Sequence, residues 1–513
     1  MFKIIEKFEP KLLLAALVVF MGWLWFVLQV TFMQNDDWVY YQTVRTFMGG
    51  NIVLHPYIGP TFYLQGLIAA AFSKVFSIER LPVLTLFMTT ISFYFFTLIL
   101  VRFLKLRRRQ AVLLGFLYFF NPLNLYLTLG FMTGNYFMPF LLMCIFLLLL
   151  FEETKKLKFL ALTFIVSFLA LLVRQVALSI PLSIALYYLY RRERLLSIVG
   201  FVVFGSFYFF YSNILTLTAR ILEVPLQFHH LADFNYTYAL VYGVLIMLTA
   251  FLLPLVFSVV DWRVVISSKK RILLFVVISL GIFIVGNNIF KPDVISWGEF
   301  PYFENTFERT GFYPRGVDGT KYQFRGIYDL YRYWDLGAKL MFALFVGYLV
   351  VSRKWILNYF SVFAVTYIGL LVVTETFYDR YILILVPVAI FYLVSIGIKF
   401  NYLKITTVTL FVAFLAFYGY QFSMDFILVN SYVWKRAEEL AISEDIPYKT
   451  IQATNAWKLS FRNLDRNYLY NFSYDSQDVN EIYKCCYKLI EEKTIEYPLN
   501  FFINPKIYLY KRI

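Results

Sequence analysis

Two adjacent carboxylates, Asp36 and Asp37, lie where the first long apolar run of the chain ends, in the stretch QNDDWVYYQTVR. Like charges side by side raise the pKa of one or both carboxyl groups unless a cation compensates them. A carboxylate tuned in this way can serve as a general base or as a metal ligand. The alternative interpretation is a polar cap on a membrane helix, set among aromatic residues that gather at the headgroup level.

Two arginines interrupt apolar sequence further along the chain. Arg174 lies in FLALLVRQVALSIPL, and Arg380 ends the short link TETFYDR. An arginine at membrane depth is costly and normally faces the protein interior or a partner. Each is therefore either a structural ion pair, for example with Glu375 or Asp379, or a site for a phosphate, which guanidinium matches with two hydrogen bonds. Arg45, in the loop that bears the carboxylates, is a weaker third candidate.

His55, in NIVLHPYIGP, belongs to the same loop as the carboxylates. It is either ordinary polar surface or, together with Asp37, a ligand of a divalent metal ion. The spacing of these residues is not diagnostic, so the metal ion remains one of two alternatives, and we expect no organic cofactor. The sequence contains no phosphate-binding loop, dinucleotide fingerprint, HExxH motif or Ser-His-Asp pattern.

The elements that must position these side chains are membrane helices. Of the 513 residues, 60% are hydrophobic and only 15% are charged, whereas a soluble domain carries about 25% charged residues. Many apolar runs also reach the ~20 residues needed to cross a bilayer. The net charge of +15 comes mostly from short basic clusters between these runs, which is typical of cytoplasmic loops. We therefore expect a lipid bilayer and no nucleic acid as a partner.

The apolar runs predict thirteen crossings of the plasma (inner) membrane with a cytoplasmic N-terminus. These apolar runs cover approximately residues 12–33, 80–103, 111–129, 136–151, 159–173, 177–190, 195–213, 238–259, 272–290, 338–352, 356–374, 381–398 and 405–424. This orientation keeps the basic clusters in the cytoplasm, as the positive-inside rule requires. A further apolar stretch, residues 60–76, is predicted to be an interfacial helix, because another crossing would move every later basic cluster outside.

Three large regions then lie outside the membrane: loop 34–79, loop 291–337 and tail 425–513. The second loop is rich in Gly, Pro, Tyr and Phe, and we expect it to close over a site as a lid. In the tail, SYVWKRAEELAISEDIP predicts an amphipathic helix, YKTIQAT a short strand and VNEIYKCCYKLIEEK a second helix. The predicted fold is an all-α polytopic membrane module, residues 1–424, with a small α+β extracytoplasmic domain, residues 425–513.

The order of several segments resembles bacterial integral-membrane glycosyltransferases of family 39 and their relatives. That group includes protein O-mannosyltransferases and lipid A aminoarabinose transferases, all of the GT-C fold. The segments that carry the resemblance are NDDWVYYQTVRTFMGGNIVLHP, PTFYLQGLIAAAFSKVF, RLPVLTLFMTTISFYFFTLIL, FNPLNLYLTLGFMTG, LLVRQVALSIPL and FYDRYILILVP. They lie within the membrane module, and their order is more specific than any one of them.

The resemblance implies a sugar donor carried on a polyprenyl phosphate and transfer to a glycan, lipid or protein acceptor at the extracytoplasmic face. It implies Asp36 as the catalytic base and Asp37 as its partner, either directly or through a bound metal ion. Arg174 and Arg380 are then contacts to the donor phosphate, with Arg45 as a weaker addition. A single displacement would invert the anomeric configuration.

The chain departs from the resembling family at one position. Many relatives have FMTD or FMTE where this sequence has FMTGN, so Gly134 and Asn135 stand where an acidic residue is expected. Asn135 retains hydrogen-bonding capacity but no charge, which puts a second acidic role in doubt. The remaining candidates for substrate contact are polar or aromatic side chains of the same segments: Tyr41, His55, Tyr63, Asn135 and Tyr378.

The main alternative function is a polytopic transporter or flippase for a lipid-linked or glycan substrate. Such a protein typically has ionisable residues near the bilayer midplane, internal repeats and broken helices. In this sequence the charges concentrate in outer loops and cytoplasmic links, and no repeat is evident. A membrane scaffold and a polysaccharide polymerase remain further alternatives. The sequence has no WWDYG-like motif, which disfavours an oligosaccharyltransferase.

Overall fold

Helices make up most of this protein in the computed structural model. That is expected for apolar segments in a bilayer, where every backbone polar group must find its hydrogen bond within the protein. The structure describes residues 9–216, 228–295, 298–303, 305–308, 311–312, 328–354, 356–374, 377–398, 400–461, 468–473, 486–501 and 506–513.

Eight helices in these ranges are long and apolar enough to cross a membrane. They are Pro10–Leu28, Ile78–Arg102, Thr133–Thr154, Arg194–Leu215, Phe234–Phe251, Lys269–Ile289, Leu330–Ser352 and Tyr402–Ser443. A ninth span results if the helices Arg108–Phe119 and Pro122–Thr128, which meet at 68°, are counted together. The described chain is therefore a helical protein with eight or nine candidate membrane spans, and the count of thirteen stays a prediction.

Other predicted crossings correspond to helices shorter than the ~20 residues that span a bilayer. These are Leu157–Leu171, Ser179–Tyr190, Tyr359–Val372 and Leu385–Ser395. Two of them follow directly on 3-10 turns, Gln175–Leu178 and Asp379–Ile384. Because the chain enters these helices through a tight turn, a polar residue at the turn is carried into the apolar interior. Arg174 lies immediately before the first of these turns, and Arg380 lies within the second.

The remaining helices are short. They are Asp37–Met48, Tyr63–Phe76, Leu253–Val259, Trp262–Val265 and Asn455–Ser460. The helix Tyr63–Phe76 forms where the interfacial helix was predicted. Two of the candidate spans, Arg194–Leu215 and Lys269–Ile289, are only 11% and 17% buried inside the protein. Apolar faces this large are unfavourable in water, and their exposure fits helices that face lipid.

The described part of loop 291–337 is packed between helices. Phe300, Phe303 and Phe307 are almost completely buried, and a short antiparallel pair, β1 (Phe307–Glu308) and β2 (Gly311–Phe312), closes the turn. This segment thus forms part of the apolar core. Residues 313–327, the middle of the predicted lid, lie outside the described residues.

One helix, Tyr402–Ser443, runs for 42 residues and crosses the predicted boundary at residue 424 without a break. At about 1.5 Å per residue it is roughly twice as long as the ~30 Å hydrocarbon core, so its end extends beyond the bilayer. The tail beyond it forms a mixed sheet in the order β3-β4-β6-β5. The strands are β3 (Ile451–Gln452), β4 (Tyr470–Ser473), β5 (Tyr487–Thr494) and β6 (Lys506–Arg512).

The predicted strand in YKTIQAT is confirmed as β3, and the small α+β composition of the tail holds for the described residues. The second predicted helix is wrong in its described part, because Tyr487–Thr494 is a strand. This segment pairs with β6 along its length, from Tyr487 opposite Arg512 to Thr494 opposite Lys506. Pairing with a neighbouring strand outweighs the weak helical preference of its Leu, Glu and Lys residues.

Candidate active site

A cavity of about 870 Å³ lies among the loops that join the helices. Segments far apart in sequence supply its polar lining: Asp36, His55, Arg174, Tyr378, Arg380 and Lys458. Aromatic residues form much of the remaining wall, including Trp38, Tyr40 and Tyr381. Its volume falls within the range of about 300–1,000 Å³ that is typical of small-molecule sites.

Asp36 presents its carboxylate to this cavity. It stands immediately before the helix Asp37–Met48 and does not cap it through its side chain. Its Oδ2 accepts from Nη2 of Arg380 at 3.4 Å, and its side chain keeps 36% of its surface exposed. The carboxylate is thus oriented by one long ion pair and remains accessible to a ligand.

Arg380 is held from several sides. Its Nη1 donates to Oδ1 of Asn305 at 3.1 Å, and its guanidinium lies 4.7 Å from the ring centre of Tyr378. Burial alone would lower the pKa of Arg380, but Asp36 and the neighbouring tyrosines Tyr381, Tyr40 and Tyr126 together outweigh burial and raise the pKa above its ordinary value. The guanidinium therefore keeps its positive charge throughout the physiological range.

Asp379, the residue next to Arg380, does not form an ion pair with the Arg380 guanidinium, which pairs with Asp36 instead. Its Oδ2 accepts from the backbone N–H groups of Thr306 at 3.2 Å and Phe307 at 2.7 Å. Burial raises the pKa of Asp379 to about 7, although these hydrogen bonds lower it in part. Asp379 thus holds the 305–308 segment in place beside the cavity through these hydrogen bonds. Arg380, the next residue, pairs with Asp36. Glu375, the other expected ion-pair partner, lies outside the described residues.

Arg174 is 9% exposed and lines the cavity from the turn before Gln175. Its guanidinium lies 4.8 Å from the ring centre of Tyr381, and within the described ranges no carboxylate forms an ion pair with it. A Cβ atom added to Gly134 would be 3.7 Å from Nη1 of Arg174. Gly134 therefore adjoins this arginine, and as a glycine it places no side chain against the guanidinium.

Asp37 does not line the cavity and has a different environment from Asp36. It is 1% exposed, and its two oxygens accept from the backbone N–H groups of Gln34 at 3.1 Å and Phe131 at 2.9 Å. Burial raises the pKa of Asp37 to about 8, against the effect of these two hydrogen bonds. Asp37 joins the segment before Asp36 to the loop that precedes Thr133.

The other predicted site residues divide into two groups. His55 and Tyr378 line the cavity, and Nδ1 of His55 accepts from the backbone N–H of Tyr57 at 3.2 Å. The second group, which does not line it, consists of Arg45, Tyr41, Tyr63 and Asn135. Arg45 is exposed, whereas Tyr41 is buried. Asn135 is also buried and donates to the hydroxyl oxygens of Thr89 at 2.8 Å and Thr128 at 3.0 Å.

The two residues suggested for a metal ion lie in different surroundings, and the metal ion stays a prediction. Asp37 uses both carboxylate oxygens for backbone N–H groups and lies outside the cavity, whereas His55 lines it. Within the ranges that the structure describes, no group of three His, Cys, Asp or Glu side chains is placed to hold a metal ion. The donor set of the cavity itself combines one carboxylate with two arginines and a lysine, which suits an anion better than a cation.

Sequence reasoning missed Lys458, which reaches the cavity from the helix Asn455–Ser460 in the tail. The sequence around one lysine in a charged segment does not mark it as a cavity residue, because only the packing of the tail brings Lys458 to the cavity that Asp36 lines. Tyr211, at the start of a π-helical turn, Tyr211–Leu215, was also missed. Such turns are frequent at functional sites, but they leave no pattern that the sequence reveals.

Comparison of the chain with protein-family models, with curated proteins and with solved structures finds no match.

Proposed function

We propose that this protein is a membrane glycosyltransferase that moves a sugar from a polyprenyl-phosphate donor to an acceptor at the extracytoplasmic face. The acceptor group is a hydroxyl or a phosphate. One observation carries the proposal: a single cavity holds an accessible carboxylate, Asp36, together with Arg174 and Arg380. A reaction with a lipid-phosphate leaving group needs this combination of one base and fixed positive charge.

In this reaction the acceptor hydroxyl attacks the anomeric carbon, and the bond from that carbon to the phosphate oxygen breaks. The proton of the hydroxyl passes to Asp36, which acts as general base. Polyprenyl phosphate departs with the bonding electron pair, so it needs positive charge rather than a proton. A phosphate acceptor would attack in its ionised form and would not require the base.

Arg380 takes part in both steps of this mechanism, the proton transfer to Asp36 and the stabilisation of the departing phosphate. Its ion pair with Asp36 is long, at 3.4 Å, and a donor phosphate offers the same guanidinium two hydrogen bonds of better geometry. Binding of the donor would therefore draw Arg380 from Asp36 and leave the carboxylate free to accept a proton. Arg174, which has no carboxylate partner among the described residues, supplies a second contact to the phosphate.

The position of the charges favours an enzyme over the transporter alternative. Asp36, Arg174 and Arg380 all lie at turns outside the candidate spanning helices. A transporter would need such groups within the spans, near the midplane. The bent pair Arg108–Phe119 and Pro122–Thr128 has the broken-helix form found in transporters, but it contributes only the apolar Leu127 to the cavity.

Purified protein in nanodiscs, incubated with radiolabelled polyprenyl-phosphate sugars and membrane acceptors, tests the proposal. We expect labelled product from the wild type and, with a hydroxyl acceptor, a loss of about 100-fold or more in Asp36→Asn, the range that removal of a general base produces. Asp445→Asn, a change at an exposed carboxylate of the tail, should transfer at the wild-type rate. Absence of transfer with every donor would contradict the proposal, and equal rates in Asp36→Asn and the wild type with a hydroxyl acceptor would contradict the role of Asp36 as base.

A further inference from the structure

Two consecutive residues, Asp379 and Arg380, contact the same short segment beside the cavity. Asp379 accepts through Oδ2 from the backbone N–H groups of Thr306 and Phe307. Arg380 donates from Nη1 to Oδ1 of Asn305 at 3.1 Å. The turn that carries the arginine therefore holds the backbone of the segment, and the segment in return holds the guanidinium.

The segment is also anchored in the apolar core. Phe307 is 0% exposed and packs edge to face on Trp334, with ring centres 6.1 Å apart. Asp379, which binds the backbone of the segment, is likewise fully buried. Because both anchors are buried, the backbone at Asn305 is held close to the turn that carries Arg380.

Asn305 combines a particular backbone conformation with a neutral acceptor. Its φ is 79°, in the left-handed region that Asn enters more readily than most residues. Its amide oxygen accepts a hydrogen bond and carries no net charge. Asn305 can thus bind the guanidinium without cancelling its positive charge, which a carboxylate in the same place would do.

This contact determines which part of Arg380 is available to a ligand. A guanidinium is a rigid planar group with five N–H donors, so holding one nitrogen restricts the direction of the others. Nη1 is bound to Asn305, and the guanidinium lies 4.7 Å from the ring centre of Tyr378. Nη2 donates to Asp36, which lines the cavity. Nη2 is therefore the nitrogen placed for a ligand in the cavity.

We propose that Asn305 is a positioning residue, which holds Nη1 of Arg380 while Nη2 passes from Asp36 to the donor phosphate. The inference rests on the proposed glycosyltransferase function, in which the donor draws Arg380 from Asp36. Among the described residues, Asn305 and Asp36 are the two acceptors of this guanidinium. Because one of the two contacts persists when the donor binds, less conformational freedom is lost on binding.

Titration of the full chain in nanodiscs with undecaprenyl phosphate, and separately with inorganic phosphate, tests this role. Asn305→Gly removes the amide acceptor and tolerates the positive φ. It is made alone and together with Arg380→Gln. Asn305→Asp keeps an acceptor and adds a negative charge. Asp445→Gly is the matched control, because Asp445 also has a positive φ, of 50°, and is exposed outside the cavity.

We expect Asn305→Gly to bind undecaprenyl phosphate about fivefold to tenfold more weakly than the wild type, the effect of one lost hydrogen bond. Asn305→Asp should weaken binding about tenfold or more, because its carboxylate competes with the phosphate for Arg380. Asp445→Gly should bind as the wild type does. In the Arg380→Gln background, Asn305→Gly should change the affinity by less than about twofold, a result that a merely structural role would not give.

Wild-type affinity in Asn305→Gly, or the same further loss with and without Arg380, would overturn the proposal. Asn305→Asp retains the hydrogen bond and the backbone conformation, so wild-type affinity in this second variant would overturn it as well. If the wild type binds inorganic phosphate in a way that depends on Asn305 and Arg380 but does not bind undecaprenyl phosphate, the positioning role stands and the proposed function fails. Binding of neither phosphate would contradict both.

Discussion

Arg380 donates from Nη2 to Oδ2 of Asp36 at 3.4 Å, although the two residues are 344 positions apart in the chain. The pair joins the loop after the first candidate span to the 3-10 turn before Leu385. Neither residue has another described charged partner at ion-pair distance in the structure. The geometry of the cavity therefore depends on this contact, and it is the first target for mutation.

Substitution Arg380→Gln should lower transfer by about 100-fold to 1,000-fold, because it removes a fixed charge at the leaving group. It also removes the hydrogen bond to Asn305. Arg45→Gln is the matched control, since Arg45 is exposed and does not line the cavity. Steady-state rates at varied donor concentration provide the measurement. A wild-type rate in Arg380→Gln, or an equal loss in both variants, would argue against the donor contact.

Introduction of an acidic residue at Gly134 should neutralise Arg174. A Cβ atom at this position lies 3.7 Å from Nη1 of Arg174 and 2.9 Å from the end of the Leu127 side chain. Gly134→Asp should pair with the arginine and weaken donor binding about tenfold or more, the effect of one charge-assisted contact. Gly134→Ala makes the same contact with Leu127 without a charge and should bind the donor nearly as the wild type does. Titration with undecaprenyl phosphate distinguishes them, and equal affinities would refute the pairing.

Stability should fall as the pH rises, through the buried carboxyl of Asp37. Its pKa of about 8 in the folded protein lies above the value near 3.9 of an unfolded chain. The folded state thus retains a proton that the unfolded state has released, and the free energy of unfolding decreases from about pH 4 to about pH 8. Asp379, with a pKa raised to about 7, contributes a slope of the same sign.

Asp37→Asn should reduce this slope, because the amide does not titrate. It should also cost about 1–3 kcal/mol, since an amide NH₂ cannot accept one of the two backbone N–H groups. Asp445→Asn, at an exposed residue with φ of 50° that Asn tolerates, should keep the wild-type slope. Thermal unfolding in detergent between pH 5 and 8 measures it, and an unchanged slope in Asp37→Asn would show that the carboxyl is ionised when folded.

Substitution Gly130→Ala should destabilise the protein more than any exposed Gly→Ala change. The added Cβ would stand 1.9 Å from Oε1 of Gln34 and 3.0 Å from Oδ2 of Asp37, so the buried network around Asp37 would have to shift. Overpacking of this kind costs about 1–3 kcal/mol. Gly281→Ala meets no atom within 4 Å and should leave stability unchanged or raise it. Unfolding midpoints compare the two, and an equal effect would indicate that the loop relaxes freely.

Apolar run length predicted where the helices form, whereas the number of membrane crossings stays a prediction. Runs such as 177–190 and 381–398 contain no charged residue, yet they fold as helices shorter than a bilayer with 3-10 turns at one end. Hydropathy measures composition and cannot detect a turn that uses ordinary apolar residues. The prediction divided the continuous helix Tyr402–Ser443 at residue 424, because the sequence becomes more polar there although the helix continues.

The sequence predicted the carboxylate and the arginines of the cavity, and it could not separate the two aspartates by their surroundings. Asp36 and Asp37 are adjacent and chemically identical, and only the fold exposes one and buries the other. The position of Lys458 could not be predicted from the sequence, because it depends on contacts that neighbouring residues make with distant ones. Asn455 contacts Asn35, and Thr454 contacts Trp434. A charged residue that interrupts an apolar run can be recognised in the sequence, whereas the proximity of two surface segments that are distant in the chain cannot.

Because the helix Tyr402–Ser443 is unbroken, it determines how the tail is rotated about the helix axis relative to the candidate membrane spans. Each residue of an α-helix turns by about 100° and advances about 1.5 Å. One residue inserted near Met424 would therefore swing the sheet around the helix axis by about a quarter turn and carry Lys458 away from the cavity. An insertion that leaves every lining residue and every apolar run intact would thus separate the tail from the cavity, because the number of residues in this helix determines where the tail lies around it.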